Sequence, residues 1–406
     1  GFSIDEKVID MKYSYPGETR TISDYDGKYL GILPIKDAVA DSRNIPAIMT
    51  LEKVTEKIGK EKVVSYMKSL GYDTINNDNY HLSVAIGSND FTATVTQMAA
   101  AHATMMNLGI YNKPHTIQYI QFTNGDTYYP DGQNQRVLSS GSAYLVTELL
   151  KNDVSQTKYG NYMYILRRSW PVYAKTGTTD WDDTGLQYGI PSGVATDEWM
   201  VSSNGRYTNA VWTGYDKALA GQDTYMAQWK LAMNIAGNIN SELIDLQAAL
   251  TDQATAAISQ PSDLTSVTYV DGTWPHVNAG KAKGSTVTSL VSSTGLQNQP
   301  QVDSMSDSYR ITKTGYVKGS NTVSANDEEE EEKDKDKEEE KVNKKDPEPT
   351  TPEPVPDPKP VPDPEPTTPE PVPDPEPTTP EPVPDPEPTT PEPPASTTSH
   401  ASEGTE

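Results

Sequence analysis

The sequence predicts an α/β chain of the α+β kind: a helical half, then an antiparallel sheet, a small β module and a long acidic tail. Three observations carry that prediction. Apolar residues recur at helical spacing across several segments between residues 35 and 151. Two β-prone runs, Glu198-Trp199-Met200-Val201 and Asn209 to Tyr215, are joined through Asn204-Gly205, a dipeptide that favours a tight hairpin. From Glu348 the unit EPTTPEPVPDP recurs at Glu365 and Glu376, with a truncated copy at Glu387 and an insert, Lys359 to Pro364, after the first. Proline at alternate positions beside acidic residues makes an extended spacer, never a core.

Taken in order, residues 1–30 are rich in Tyr, Asp and Gly and read as surface loop and short strands, with turns at Tyr15-Pro16-Gly17 and Asp26-Gly27. A helix is expected from Pro34-Ile35 toward Ser42. A second follows Pro46 through Ala47, Ile48, Leu51 and Val54, and a third runs from Lys60 to Leu70 and stops at Gly71. Residues 92–109 give the strongest helical signal: Thr92 or Thr94 can cap it, Met98, Ala101, Met105 and Leu108 share a face, and Gly109 ends it. Ile117 to Phe122 alternates toward a hairpin turn at Asn124-Gly125, and Ser140 to Lys151 is again amphipathic. The expected organisation is a main domain over 1–245, a Ser/Thr/Gly-rich linker or β module over 246–326, a charged segment over 327–345 and the Pro-rich tail over 346–406.

The charge is as uneven as the composition. Residues 327–406 carry 26 acidic and 7 basic side chains, so the tail accounts for most of the net charge of −25. No basic face is visible for phosphate contacts, which argues against a nucleic-acid partner. With no cysteine there is no disulfide, thiolate metal site or Cys nucleophile. The five histidines, His81, His102, His115, His276 and His400, lack metal-ligand spacing, and no cofactor is expected. His102 and the methionines of 98–106 read as core. The opening Gly1-Phe2-Ser3-Ile4 reads as the middle of a longer protein.

The chemistry-bearing stretch is Val172-Tyr173-Ala174-Lys175-Thr176-Gly177-Thr178-Thr179. A lysine closing a β-prone run, followed by hydroxyl, glycine, hydroxyl, sets a cation and two hydroxyls on a sheet rim. The glycine leaves room for another chain or ligand beside the strand. Such a rim suits an extended substrate bearing a carboxylate. The tripeptide alone is weak evidence, since it recurs as Lys313-Thr314-Gly315 without the lead-in. Ser42-Arg43-Asn44, before Pro46, reads on its own as a helix cap. Serine acyl transfer also needs a nucleophile, a base and oxyanion donors, and one solution combines Ser-x-x-Lys, Ser-x-Asn and Lys-Thr-Gly in that order.

The segments GILPIKDAVADSRNIPAIMTLEKV, TVTQMAAAHATMMNLGIYNKPHTI, YAKTGTTD and EWMV through NAVWTGYDKA resemble penicillin-binding proteins, above all the streptococcus-like class A enzymes of Gram-positive cocci. The resemblance covers about residues 20–220. It implies the transpeptidase or serine β-lactamase-like fold, an antiparallel sheet flanked by helices, incomplete at its N-terminus. It also implies roles. Ser42 relays a proton to the leaving group, Asn44 holds the stem-peptide amide, and Lys175 sets the electrostatics. Thr176 and Thr178, with Gly177 between them, bind the substrate carboxylate. Implied partners are peptidoglycan stem peptides ending in D-Ala-D-Ala, β-lactam antibiotics, the cell wall and proteins of the division or elongation machinery, at the outer face of the membrane.

One part of the pattern is missing. No Ser-x-x-Lys precedes Ser42, and Ser65-Tyr66-Met67-Lys68 and Ser155-Gln156-Thr157-Lys158 come after it. The nucleophile is therefore expected upstream of Gly1, as are a glycosyltransferase domain and a membrane anchor. Asp180 to Thr196 reads as an inserted loop near the site mouth, with Asp182-Asp183 solvated. The expected activity of the intact protein is peptidoglycan D,D-transpeptidation. The alternatives are a D,D-carboxypeptidase and a non-catalytic wall-binding or anchoring protein.

Overall fold

Strands β1 (Lys7–Asp10), β2 (Tyr13–Ser14), β3 (Thr21–Ile22) and β4 (Gly31–Pro34) form two antiparallel pairs, with β2–β3 carried inside the β1–β4 excursion. The computed structural model describes residues 3–19, 21–88, 91–130, 134–159 and 162–319. The expected charged segment 327–345 and Pro-rich tail 346–406 lie outside the described residues. The opening segment is more than surface loop, because Ile9, Asp10 and Leu33 are buried where β1 and β4 meet the helices.

Helix α1 (Ile35–Ala40) starts directly after Pro34. Helix α2 (Asn44–Ile58) begins two residues ahead of Pro46. Proline fits there because first-turn N–H groups have no intrahelical partner to lose. Helix α3 (Lys60–Ser69) gives way to Gly71 at φ +93°, a left-handed backbone that suits glycine. Helix α4 (Val95–Met106) is fixed by a capping box in which Thr94 and Gln97 satisfy each other's backbone N–H groups. Four two-residue strands follow: β5 (Ile110–Tyr111), β6 (Ile120–Gln121), β7 (Thr127–Tyr128) and β8 (Gln135–Arg136), with β6–β7 closing around Asn124-Gly125. Helix α5 (Ser140–Ser155) runs a turn longer than its periodicity suggests.

The sheet that carries the site has the order β11-β10-β9, all antiparallel: β9 (Tyr173–Asp180), β10 (Ala195–Ser203) and β11 (Thr208–Gly214). The register pairs Val201 with Lys175, Glu198 with Thr178 and Trp199 with Trp212. Between β9 and β10, the expected inserted loop holds a short 3-10 helix over Asp182–Tyr188.

One face of the sheet packs on α6 (Trp229–Leu250), a helix the sequence reading lacked. Its apolar signal is broken by Gly237 and several asparagines, and both interruptions have packing reasons. A Cβ at Gly237 would sit 3.2 Å from Ile165 Cγ2. Buried Asn240 accepts from Ser202 Oγ at 2.6 Å and donates to the Met200 carbonyl at 3.3 Å. Around them Met200, Met233, Ala236, Ile244, Leu166 and Ala174 form the main core. Helix α6 runs across residue 245, where the composition changes.

The β module follows: β12 (Leu264–Val270), β13 (Thr273–Trp274), β14 (Thr286–Ser292), α7 (Ser293–Asn298), β15 (Tyr309–Thr312) and β16 (Gly315–Lys318). It is tied back to the chain start. Buried His276 stacks on Tyr269 at 3.7 Å, and its Nε2 meets Glu6 Oε2 at 2.5 Å. Lys313-Thr314-Gly315 occupies the β15–β16 turn, away from the sheet that holds Lys175.

Met200 lies fully buried on β10, between the Lys175 strand and α6. Met200→Ala should lower the unfolding free energy in urea by about 2–5 kcal/mol, as large-to-small core changes do. A loss near zero would show that the sheet does not depend on α6.

Candidate active site

Ser42 occupies a position that usually belongs to glycine. Its φ of +50° lies in the left-handed region. The turn that closes α1 is hydrogen-bonded as a Schellman motif: Ser42 N donates to Val39 O at 3.0 Å, and Arg43 N donates to Ala38 O at 2.9 Å. A side chain in this conformation costs on the order of 1 kcal/mol, so something must hold the turn.

Arg43 holds it. The guanidinium is buried and surrounded by four carboxylates: Asp10 at 2.9 Å, Asp26 at 3.0 Å, and Asp24 and Asp41 at 3.3 Å. It also donates to the Lys28 carbonyl at 2.5 Å. These partners come from β1, from the loop before β4 and from the end of α1. One side chain thereby fixes three segments around Ser42. Asp24 also accepts from the Asn44 backbone N–H at 2.5 Å, placing a carboxyl at the α2 N-terminus. Burial and the adjacent Asp10 push Asp24 up to about 7. The Asn44 side chain donates to the Ser23 carbonyl at 3.3 Å.

Lys175 reaches the same turn from the sheet. Its Nζ donates to Ser42 Oγ at 2.9 Å and to the Thr176 carbonyl at 3.2 Å, with Asp153 Oδ2 at 4.0 Å. Burial lowers the Lys175 pKa, and the charge of Asp153 opposes the shift. Asp153, on α5, is itself pushed up to about 7 by burial, against the pull of Lys175. A lysine eased toward neutrality beside a serine hydroxyl can pass a proton in either direction.

All six residues singled out in the sequence, Ser42, Asn44, Lys175, Thr176, Gly177 and Thr178, line one cleft of about 920 Å³. Its apolar wall includes Met98, Phe91, Trp199 and Trp212. A Cβ at Gly177 would meet only Trp199 Cβ, at 3.5 Å, an ordinary contact. Packing within the chain does not require glycine there, and the space it leaves belongs to the cleft. Thr178 is exposed on the rim, and its hydroxyl donates to Glu198 Oε2 at 2.9 Å. His102 is less inert than a core reading suggests: it borders the cleft, with Nδ1 2.9 Å from Ser203 Oγ. Ser65 and Ser155, which share the Ser-x-x-Lys spacing, are exposed on α3 and α5 and do not line the cleft.

Arg43, Asp153 and Glu198 were not legible as site residues. Arg43 stood inside the motif as its variable position, Asp153 is one acid on an amphipathic helix, and Glu198 looked like a strand residue.

A Lys-Thr-Gly strand facing a Ser-x-Asn turn across one cleft is the arrangement expected of a penicillin-recognising domain, and comparison with known proteins agrees. The penicillin binding protein transpeptidase domain matches residues 1–240. The chain is 32% identical over 283 residues to penicillin-binding protein 1A/1B of Bacillus subtilis, across 69% of this chain and 29% of that protein. It is 34% identical over 221 residues to penicillin-binding protein 1A of Streptococcus oralis, across 52% of this chain and 33% of that one. The fold matches penicillin-binding protein 1A from Haemophilus influenzae with a TM-score of 0.50 at 16% identity, covering 71% of this chain and 45% of the other. The chain belongs to the penicillin-binding protein transpeptidase family. It spans about a third of the length of these curated relatives.

Removing Arg43 strands several carboxyls in the interior. Arg43→Ala should cost about 3–5 kcal/mol of unfolding free energy in urea, the penalty for breaking a buried ion pair from one side. Asp26→Asn, at the partly exposed edge of the cluster, should cost under about 1 kcal/mol. Similar losses for the two would mean that Arg43 is not the anchor.

Proposed function

We propose that this chain is the proton-relay and carboxylate-binding part of a peptidoglycan D,D-transpeptidase. The reaction has two halves. A serine hydroxyl attacks the carbonyl of the penultimate D-Ala, the amide C–N bond breaks, and the terminal D-Ala leaves with the serine's proton on its nitrogen. The amine of a neighbouring stem peptide then attacks the acyl-serine, forming the cross-link and returning a proton to the serine. Neither Ser-x-x-Lys of this chain, at Ser65 or at Ser155, lines the cleft, so neither is assigned the attack.

The observation that supports this reading best is the 2.9 Å hydrogen bond from Lys175 to Ser42, two residues 133 positions apart. It gives the departing nitrogen a proton route: Ser42 Oγ donates to the leaving amine while Lys175 Nζ resupplies Ser42. Asn44 offers its amide to the stem-peptide backbone, and Thr176 and Thr178 offer hydroxyls to the terminal carboxylate. Gly177 leaves room for an extended peptide beside β9. A β-lactam presents a strained amide and a carboxylate at matching positions, so it acylates the same serine and stays. The PonA1 protein of Mycobacterium tuberculosis, which shares this fold, has been solved in complex with penicillin V. The substrates, and hence the site, lie in the cell wall outside the membrane; among the described residues no helix is long and apolar enough to span one.

The two Lys-Thr-Gly copies supply their own control. In the full-length protein, Lys175→Ala should lower the second-order rate of acylation by a penicillin by roughly a hundred- to a thousandfold, the usual loss for one preorganised electrostatic contact. Lys313→Ala, on the β15–β16 turn, should leave it unchanged. Equal effects would reject the assignment of the site.

A further inference from the structure

We propose that Glu198 is a positioning residue of the carboxylate subsite: as a neutral carboxylic acid it donates to Thr178 Oγ1 and turns the Thr178 hydroxyl proton outward, toward the substrate carboxylate. This deepens the transpeptidase reading and rests on it.

The geometry is specific. Glu198 and Thr178 are register partners on β10 and β9, and their side chains meet at 2.9 Å. Thr178 is exposed at the rim while Glu198, directly beneath it, has no exposed surface. Glu198 Oε1 accepts no hydrogen bond among the described residues. Among the described residues Glu198 has one neutral hydrogen bond and no paired cation, an unfavourable arrangement for a fully buried carboxylate, which a bound proton relieves.

The surrounding charges do not supply that cation. Beside Glu198 on its own strand stands Asp197, whose carboxylate disfavours a second negative charge. On β9, Lys175 is turned to Ser42 and Asp153, and Asp180 ends the strand. Strand β11 has no titratable side chain. Helix α4 carries only His102, which faces Ser203. Helix α6 carries Lys230, Glu242 and Asp245, none of which perturbs Glu198. Burial, ahead of Asp197, pushes Glu198 up to about 7, while the Thr178 hydrogen bond pulls it down.

The proton on Glu198 decides what Thr178 can offer. An ionised Glu198 takes the hydroxyl proton for itself, leaving oxygen lone pairs toward the cleft and a negative charge one hydroxyl away from the substrate carboxylate. A protonated Glu198 reverses the hydrogen bond, so Thr178 Oγ1 accepts from below and donates above. The subsite therefore favours an anionic ligand below the Glu198 titration and loses that preference as pH rises through it. Glutamine at this position can donate to Thr178 at every pH.

The test is the rate of acylation of the full-length protein by benzylpenicillin across pH. Other titrating groups, Lys175 and Asp153 included, are common to wild type and Glu198→Gln, so the ratio of the two rates isolates position 198. The Glu198→Gln rate divided by the wild-type rate should rise about thirtyfold between about pH 6 and about pH 8.5, since the neutral fraction of an acid titrating at about 7 falls about tenfold per pH unit above that value. In a Thr178→Val background the same ratio should stay flat, because the hydroxyl being aimed is gone. A flat ratio with Thr178 present overturns the proposal, and so does a rise that persists in Thr178→Val. Wild type that is never acylated at any pH defeats the transpeptidase reading itself. Circular dichroism of each variant keeps misfolding from passing as a flat ratio: should Glu198→Gln not fold, the Thr178→Val rate divided by the wild-type rate must rise over the same pH range, and a flat ratio overturns the proposal.

Discussion

A guanidinium shut away from water governs the shape of the site. Arg43 is desolvated, which disfavours its charge, yet the carboxylates of Asp24, Asp10 and Asp26 raise its pKa and keep it ionised. In return the guanidinium fixes the backbone on either side. The Arg43 backbone N–H closes the α1 turn onto the Ala38 carbonyl, and Asp24, which the guanidinium holds, meets the Asn44 N–H that opens α2. Ser42 is caught between these two fixed points. That explains how a serine keeps a left-handed backbone that glycine would adopt more cheaply. A flexible lysine could not replace the planar fork at this centre.

The second constraint is electrostatic. Asp24, Asp153 and Glu198 are each pushed up to about 7 from usual values of 3.8, 3.8 and 4.5, with burial the largest cause every time. Each keeps its proton in the fold at a pH where the unfolded chain has lost it. Their contribution to stability is thus fully present below the unfolded pKa values and is lost as pH rises toward about 7. Such strained acids cluster where a site needs proton donors and acceptors near neutrality. Here all three touch or flank the Ser42–Lys175 contact or the Thr178 rim. The fold gives up some stability near neutral pH to keep the cleft in that state.

What the sequence disclosed depended on whether the signal was local. The Asn204-Gly205 hairpin, the Thr94-capped helix and the strand leading into Lys175 are fixed by neighbours in the chain, and all three could be read directly. Helix α6 could not, because Gly237 and Asn240 are placed for contacts with Ile165 and Ser202 that lie far along the chain. The same distinction separates the site residues. Ser42, Asn44 and Lys175 belong to short motifs, and family resemblance supplies their order. Glu198 acquires meaning only through the cross-strand register, and Arg43 only through four aspartates that the fold gathers around it. Residues 1–30 were read as surface loop and short strands; the burial of Ile9, Asp10 and Leu33 could not be read, because it depends on how β1 and β4 meet the helices.

Ser42 and Lys175, joined at 2.9 Å, serve the site as one proton relay. The direct measurement is a double-mutant cycle in the full-length protein: acylation rates by one penicillin for Ser42→Ala, Lys175→Ala and the pair. Groups that act as a unit are strongly non-additive, so the pair should be no slower than the slower single variant, within about threefold. Losses that multiply, each variant contributing its full factor in the other's absence, would contradict a shared relay and reduce the 2.9 Å contact to a neighbourly hydrogen bond.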